Sequence, residues 1–358
     1  MANPIWSDLK SGKEVNREEY LKIIRRIKYF IIIGMGASLA VFIGIAVFGG
    51  IYKVSEVILS AKLYIYAIAF VFVFCGYLIR FLKWNYYLKK LGVHVGLKKN
   101  LIIYLSLYSM NITPGKVGRV VSAYTLSKIT GEKTSKIMPA VTMDIFTDFI
   151  GFAVFALFFS IYAHRFVLYI LAADVVLLLP FFFVTHDWLY RKLKNLLKRF
   201  KGKGYLGLFS VYGDEYFSSQ SELNNFRTYV VSLLVTLPAD FLTALALFIT
   251  LASLGILAPV GGTIFVFSSS QIFGMVSGLP GSIGVSDGTL VALVGGVFSQ
   301  DSIISSAATI MTRIATLWFG IVVGAIFLFY SLRYWDFPNH IKKASRIKAG
   351  PHGHSSRI

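Results

Sequence analysis

Runs of about 20 mostly apolar residues, the length an α-helix needs to cross about 30 Å of hydrocarbon, recur along this chain from Tyr29 to Leu332. Hydropathy places spanning helices near Tyr29 to Ile51, Leu63 to Leu82, Ile137 to Tyr162, Phe166 to Val184, Tyr229 to Leu254 and Ile303 to Leu332. Two further apolar regions, Leu97 to Tyr124 and Val260 to Phe298, are each interrupted near the middle by Pro-Gly and read as re-entrant broken hairpins. The fold class is therefore an all-α polytopic membrane protein with about six spanning helices and two hairpins. Hydrophobic residues fill 56% of 358 positions and mean hydropathy is +0.68, which leaves no sizeable soluble domain. The expected layout is a cytoplasmic segment 1–28, a single membrane domain 29–332 with a basic interfacial segment at 185–228, and a basic tail 333–358.

The net charge of +19 would suggest nucleic acid in a soluble protein, but here the basic residues sort by membrane side. Lys10 to Lys28 precede the first helix. Lys83, Lys89, Lys90, Lys98 and Lys99 follow the second, Arg191 to Lys203 the fourth, and Arg333 to Lys348 the last. The opposite side receives Lys53, Lys62 and Arg165. The positive-inside rule puts both termini in the cytoplasm of a multi-pass cell-membrane protein, with membrane lipids and not nucleic acid as partners. The stretch Trp188 to Phe200 spaces Leu and Phe helically among Arg and Lys and should lie flat on the membrane. Cys75 stands alone, so no intrachain disulfide forms. His352-Gly-His354 reads as a flexible end, and the polar N-terminus does not resemble a cleaved signal.

Two motifs recur. Thr113-Pro-Gly-Lys-Val-Gly-Arg119 and Leu279-Pro-Gly-Ser-Ile-Gly-Val285 share Pro-Gly-x-(Val/Ile)-Gly. About thirty residues beyond each, Asp144-Ile-Phe-Thr-Asp-Phe-Ile-Gly151 aligns with Arg313-Ile-Ala-Thr-Leu-Trp-Phe-Gly320. The repeat units, about 97–162 and 260–332, are each a broken hairpin followed by a long helix. Three crossings separate the loops, so the second hairpin enters from the opposite face and the repeat is inverted. That pattern points to a transporter whose site lies at the repeat interface near the midplane. Pro114, Gly115, Gly118, Pro280, Gly281 and Gly284 let the chain turn at membrane depth. The freed amides would suit an anionic headgroup, with Lys116 and Arg119 adding positive charge.

Asp144, Asp148, Asp240 and Arg313 fall in expected spans, and Asp287 in the second hairpin. A lone charge at a span centre costs about 2.5–3.5 kcal/mol on insertion scales, so each should face a partner or a cavity. Asp144 and Asp148, four apart, share one helical face. Arg313 occupies the repeat position equivalent to Asp144, so an Asp144–Arg313 pair across the pseudo-twofold is expected, either as a packing bridge or as a group that binds headgroup or proton. Asp240 follows Pro238 and fits a kinked polar patch or a ligand contact equally; the role of Asp174 is open.

With these loops, the acidic pair, Asp287 and the lone Arg313, the chain resembles the flippase-like family of the lysylphosphatidylglycerol synthase transmembrane domain from about Leu63 to Leu332. The resemblance implies a lipid flippase for a polar or phosphate-bearing headgroup, such as a polyprenyl or dolichyl phosphate-linked sugar or a phospholipid. It carries functional roles onto Pro114, Gly115, Gly118, Pro280, Gly281, Gly284, Asp144, Asp148 and Arg313. The family commonly has Glu-Arg where this chain has Asp144-Ile145, and Arg-Glu where it has Ser286-Asp287, so two basic residues of that pattern are missing. Few residues follow the last helix, too few for an aminoacyl-transfer domain.

A lipid-modifying membrane enzyme would need a nucleophile, base or metal cluster; no His is central in a span and no Cys-His pairing or metal-ligand company for the acidic pair is present. No phosphate-cradling loop for ATP occurs, and no cofactor is implied. A scaffold whose charges only hold helices together is the other alternative. A bundle this small often pairs, which leaves a homodimer open.

Overall fold

The computed structural model describes residues 35–113, 118–162 and 215–334, with isolated positions 32, 168 and 172. The expected span at Phe166 to Val184, Asp174, the basic segment around Trp188 to Phe200, the loop residues Pro114, Gly115 and Lys116, and both terminal segments lie outside the described residues. Every regular element among the described residues is helical.

Helix α1 (Met35–Gly49) meets α2 (Ile51–Ser60) at an angle of 99°. Helix α1 falls within the expected span near Tyr29 to Ile51, and the bend comes at the end of that span. The hinge is Gly50, whose φ of 87° suits a residue without a Cβ. The chain continues into α2 because Val54, Val57 and Ile58 at helical spacing pack against Ala307 and Ile310, while Lys53 and Glu56 lower its average hydropathy and hide it from a span search.

Helix α3 runs Leu63–Lys90, eight residues beyond its expected end at Leu82. The first hairpin comprises α4 (Leu97–Ser106), a 3₁₀ turn (Leu107–Met110) and α5 (Val120–Thr130). Trp84 Nε1 donates to Asn100 Oδ1 at 2.9 Å, and Asn100 Nδ2 to Asn85 Oδ1 at 3.0 Å, which ties α4 to α3. Helix α6 (Thr134–Phe158) follows, then α7 (215–223) and α8 (Phe226–Ser253), which starts where the Asn225 side chain accepts from the Thr228 amide at 3.0 Å. Helices α3 and α8 lie against each other along much of their lengths, and Gly76 allows this. A Cβ there would stand 3.1 Å from the Ala239 carbonyl oxygen.

The second hairpin is α9 (Val260–Val276), a turn at Pro280–Ser282, and α10 (Val285–Phe298). Helix α11 (Ser302–Arg313), one π-helical turn (Ile314–Trp318) and α12 (Phe319–Tyr334) form the last crossing. Among the described residues, five helices are long and apolar enough to cross a membrane, and α1 with α2 makes a sixth if counted as one broken span, so the protein is a multi-pass membrane protein. Within that count Pro280–Phe298 is itself long enough to cross, whereas α9 is shorter.

Helix α12 presses on the first hairpin at Gly324. A Cβ there would fall onto the Ser109 amide nitrogen and 2.8 Å from the Tyr108 carbonyl carbon, and backbone yields less readily than side chains. Gly324→Ala is therefore expected to destabilise the protein by about 1–3 kcal/mol, read as a lowered melting temperature in detergent. An unchanged melting point would mean that α12 and the hairpin do not meet this closely.

Candidate functional site

A buried charge cluster forms where α3, α6 and α8 converge beside the first hairpin. Lys83 Nζ, fully buried, donates to Asp148 Oδ1 at 2.7 Å, Thr147 Oγ1 at 2.8 Å and Thr236 Oγ1 at 3.1 Å, and lies 3.3 Å from Asp144 Oδ1. Arg80, one helical turn earlier, pairs with Asp240 through Nη2, stands 3.4 Å from Asp148 Oδ1, and donates to Thr243 Oγ1 at 3.2 Å. Arg119, just past the first loop, donates to Asp144 Oδ2 at 2.9 Å and to Asn111 Oδ1 at 3.1 Å, with its guanidinium over the Tyr108 ring. Cations and carboxylates thus alternate through the cluster, as burial in low dielectric requires. Gly151 makes room for Asp240 between α6 and α8, since a Cβ there would collide with its carboxylate.

The second hairpin has its own pair. Gly278, Gly281, Ser282 and Gly284 all take positive φ, between 58° and 85°, so the turn depends on its glycines and holds Ser282 where L-residues are uncommon. Asp287 closes the turn by accepting from the Gly284 amide at 2.7 Å. Arg313 Nε meets Asp287 Oδ1 at 2.6 Å, and Arg313 Nη2 donates to the Gly281 carbonyl at 2.8 Å. The π-turn after Arg313 leaves carbonyls outside the regular helical ladder. Tyr66 Oη donates to Met311 O at 2.7 Å and Tyr77 Oη to Thr316 O at 3.1 Å.

The expected Asp144–Arg313 pair is therefore corrected: each helix charge bonds the hairpin of its own half. Asp144 on α6 takes Arg119, and Arg313 on α11 takes Asp287, with the signs exchanged between the two halves. The hairpins fold back on the helices that follow them, which brings these partners within reach first. Lys83 is corrected as well. The sequence places it among the cytoplasmic loop charges, but α3 continues past it and brings its ammonium to Asp144 and Asp148. Sequence reasoning missed Arg80 entirely, although it falls inside the expected Leu63 to Leu82 span, where any cation is a signal.

Between the two hairpins lies a cavity of about 250 Å³. Its polar lining includes Arg80, Arg119, Arg313, Asp148, Asn111 and Gln271, and both loops reach it, through Thr113 on one side and Gly278 to Ser282 on the other. Phe146, Phe149, Phe152 and Phe267 line the apolar part. Among the expected site residues, Asp148, Arg119, Gly281 and Arg313 line the cavity, whereas Asp144, Asp240 and Asp287 stand behind the arginines as counter-ions. The wall facing the cavity is cationic. Among the described residues, no group of three or more His, Cys, Asp and Glu is arranged to hold a metal ion.

Compared with known families, residues 33–324 match the family described as Lysylphosphatidylglycerol synthase TM region. A comparison with curated proteins finds no match.

Proposed function

The chain belongs to the lysylphosphatidylglycerol synthase transmembrane family, whose setting is membrane lipid, and from that premise we propose that it is a lipid flippase. In this reading a polar, phosphate-bearing headgroup passes through the cavity between the two Pro-Gly hairpins while the acyl or prenyl tails stay in lipid. The observation that carries it is the arginine-rich lining: Arg80, Arg119 and Arg313 come from three separate elements to one cavity, with Asp240, Asp144 and Asp287 behind them and Asp148 sharing the lining. Charge-assisted bonds to phosphate would suit those donors.

The two hairpin-and-helix units act in this proposal as inverted repeats, and the exchanged signs of Arg119–Asp144 and Asp287–Arg313 give each half its own latch. The chain would sit in the cell membrane with both termini cytoplasmic, would contact lipids as its partners, and would catalyse no covalent step.

The test is native mass spectrometry with lipid identification on detergent-purified protein, paired with a flip assay in proteoliposomes. Wild type is expected to retain lipids with anionic headgroups and to flip fluorescent phosphatidylglycerol. Arg80→Gln should weaken retention by about 10- to 100-fold, the loss of one hydrogen bond to a charged group. Flipping no faster than in protein-free vesicles, with bulk lipids retained alike by wild type and variant, would sink the proposal.

A further inference from the structure

The hydroxyls buried in this protein mostly follow one habit, donating to a carbonyl on the preceding turn of their own helix. Thr243 donates to Ala239 O at 2.8 Å, Thr250 to Ala246 O at 2.7 Å and Ser270 to Phe267 O at 2.7 Å. A group of buried hydroxyls in the second half breaks the habit. Ser305, Thr309 and Thr312 on α11, and Ser268 and Ser269 on α9, have no protein partner and are at most 1% exposed.

Ser305, Thr309 and Thr312 are spaced four and three apart, which sets them on one face of α11 along about 10 Å of its axis. That face turns toward the second hairpin. Ser305 Oγ lies beside Gly295 of α10, and Ala308 packs into the apolar core that α9 and α10 share. One end of the row is a single turn from the exposed Asp301 and Ser302, and the other stops one residue short of Arg313, which carries the ion pair to Asp287. Ser306, also unpartnered, turns instead toward α1 at Gly49.

Unsatisfied hydroxyls are costly in a membrane interior, and buried polar sites of this kind are held by internal water making several hydrogen bonds each. We infer that the α11 hydroxyl row binds a chain of internal waters that conducts protons from the Asp301 end of the protein to Asp287. The inference goes beyond the flippase reading, since it concerns a path on the far side of Arg313 from the first hairpin and does not depend on what the cavity carries. The proton step balances simply. A proton passed along the waters adds to Asp287 Oδ1, the Asp287–Arg313 ion pair opens to a neutral carboxylic acid and a free guanidinium facing the cavity, and the proton leaves to cavity water as the pair re-forms. The charged group in direct contact with Asp287 is Arg313 on α11. On α9 the neutral Gln271 donates to Ser286 Oγ at 3.4 Å, next to Asp287 in the chain, and from the loop the Gly284 amide donates to Asp287 itself. Arg80 and Asp148 line the cavity beyond.

Two measurements on the full chain test this. Proteoliposomes loaded with a pH-sensitive dye and held at an imposed membrane potential should take up protons faster than protein-free vesicles. The near-isosteric Thr309→Val/Thr312→Val variant should lose this uptake, and its melting temperature in detergent should fall because the waters lose partners. Ser305→Ala serves as the milder second variant. A variant that melts higher than wild type, as a dry orphaned hydroxyl would dictate, or equal proton uptake by wild type and variant would each overturn the inference.

Discussion

Arg313→Met is expected to destabilise the protein by about 3–5 kcal/mol, the usual consequence of leaving one member of a buried ion pair uncompensated. Here the abandoned group is Asp287, fully buried at the start of α10, and the Gly281 carbonyl loses its donor in the same substitution. Replacing both partners, as Arg313→Met with Asp287→Leu, should restore most of the stability, since a well-packed apolar pair often substitutes for a buried salt bridge at little net cost. Flipping should not recover with it. The cavity would still lack one guanidinium, worth about 1.5–3 kcal/mol to a charged headgroup and so about 10- to 100-fold in rate. Melting temperatures in detergent and fluorescent-lipid flipping in vesicles separate the two effects. Recovery of both together would show that the pair serves packing alone.

Lys83→Met is expected to have an effect of similar size, about 3–5 kcal/mol, for a different reason. Lys83 is the hub through which Asp144 and Asp148 avoid each other's charge, and it joins α3 to α6 and to Thr236 on α8. With Met there, two carboxylates on one helical face would share only Arg119 and Arg80. Lys83→Arg should not rescue, because a planar guanidinium needs more width than the four-partner pocket of an ammonium offers. Thermal unfolding of the two variants checks this. A Lys83→Arg protein as stable as wild type would mean that charge alone, and not the compact ammonium geometry, holds the three helices.

The residues that misled are instructive. Lys83 looked like a loop charge because hydropathy averaging ends a span at the first cluster of polar side chains, and Lys83, Asn85, Lys89 and Lys90 form such a cluster. The helix continues regardless, since its inner face finds carboxylates and hydroxyls to receive those groups. Arg80 could have been found by listing every charge inside the expected span. Asp144 and Asp148 were legible as a shared face because i and i+4 always are.

By itself the sequence determined what is local or additive: membrane class, from the lengths of apolar runs; two apolar regions broken into helix pairs, from Pro and Gly that interrupt a helix; and buried charges in need of partners, from the cost of leaving them alone in lipid. Only the tertiary structure decided who those partners are. Arg80 meets Asp240 across 160 residues and Lys83 meets Asp148 across 65, whereas Asp144 and Arg313, matched by repeat position, go to their own hairpins. Every buried carboxylate needs a cation, but which cation reaches it depends on how the helices pack, so the pairing carries no sequence signal of its own. Helix packing, driven by the close approaches at Gly76, Gly151 and Gly324, selects one arrangement and leaves three guanidinium groups facing the same cavity.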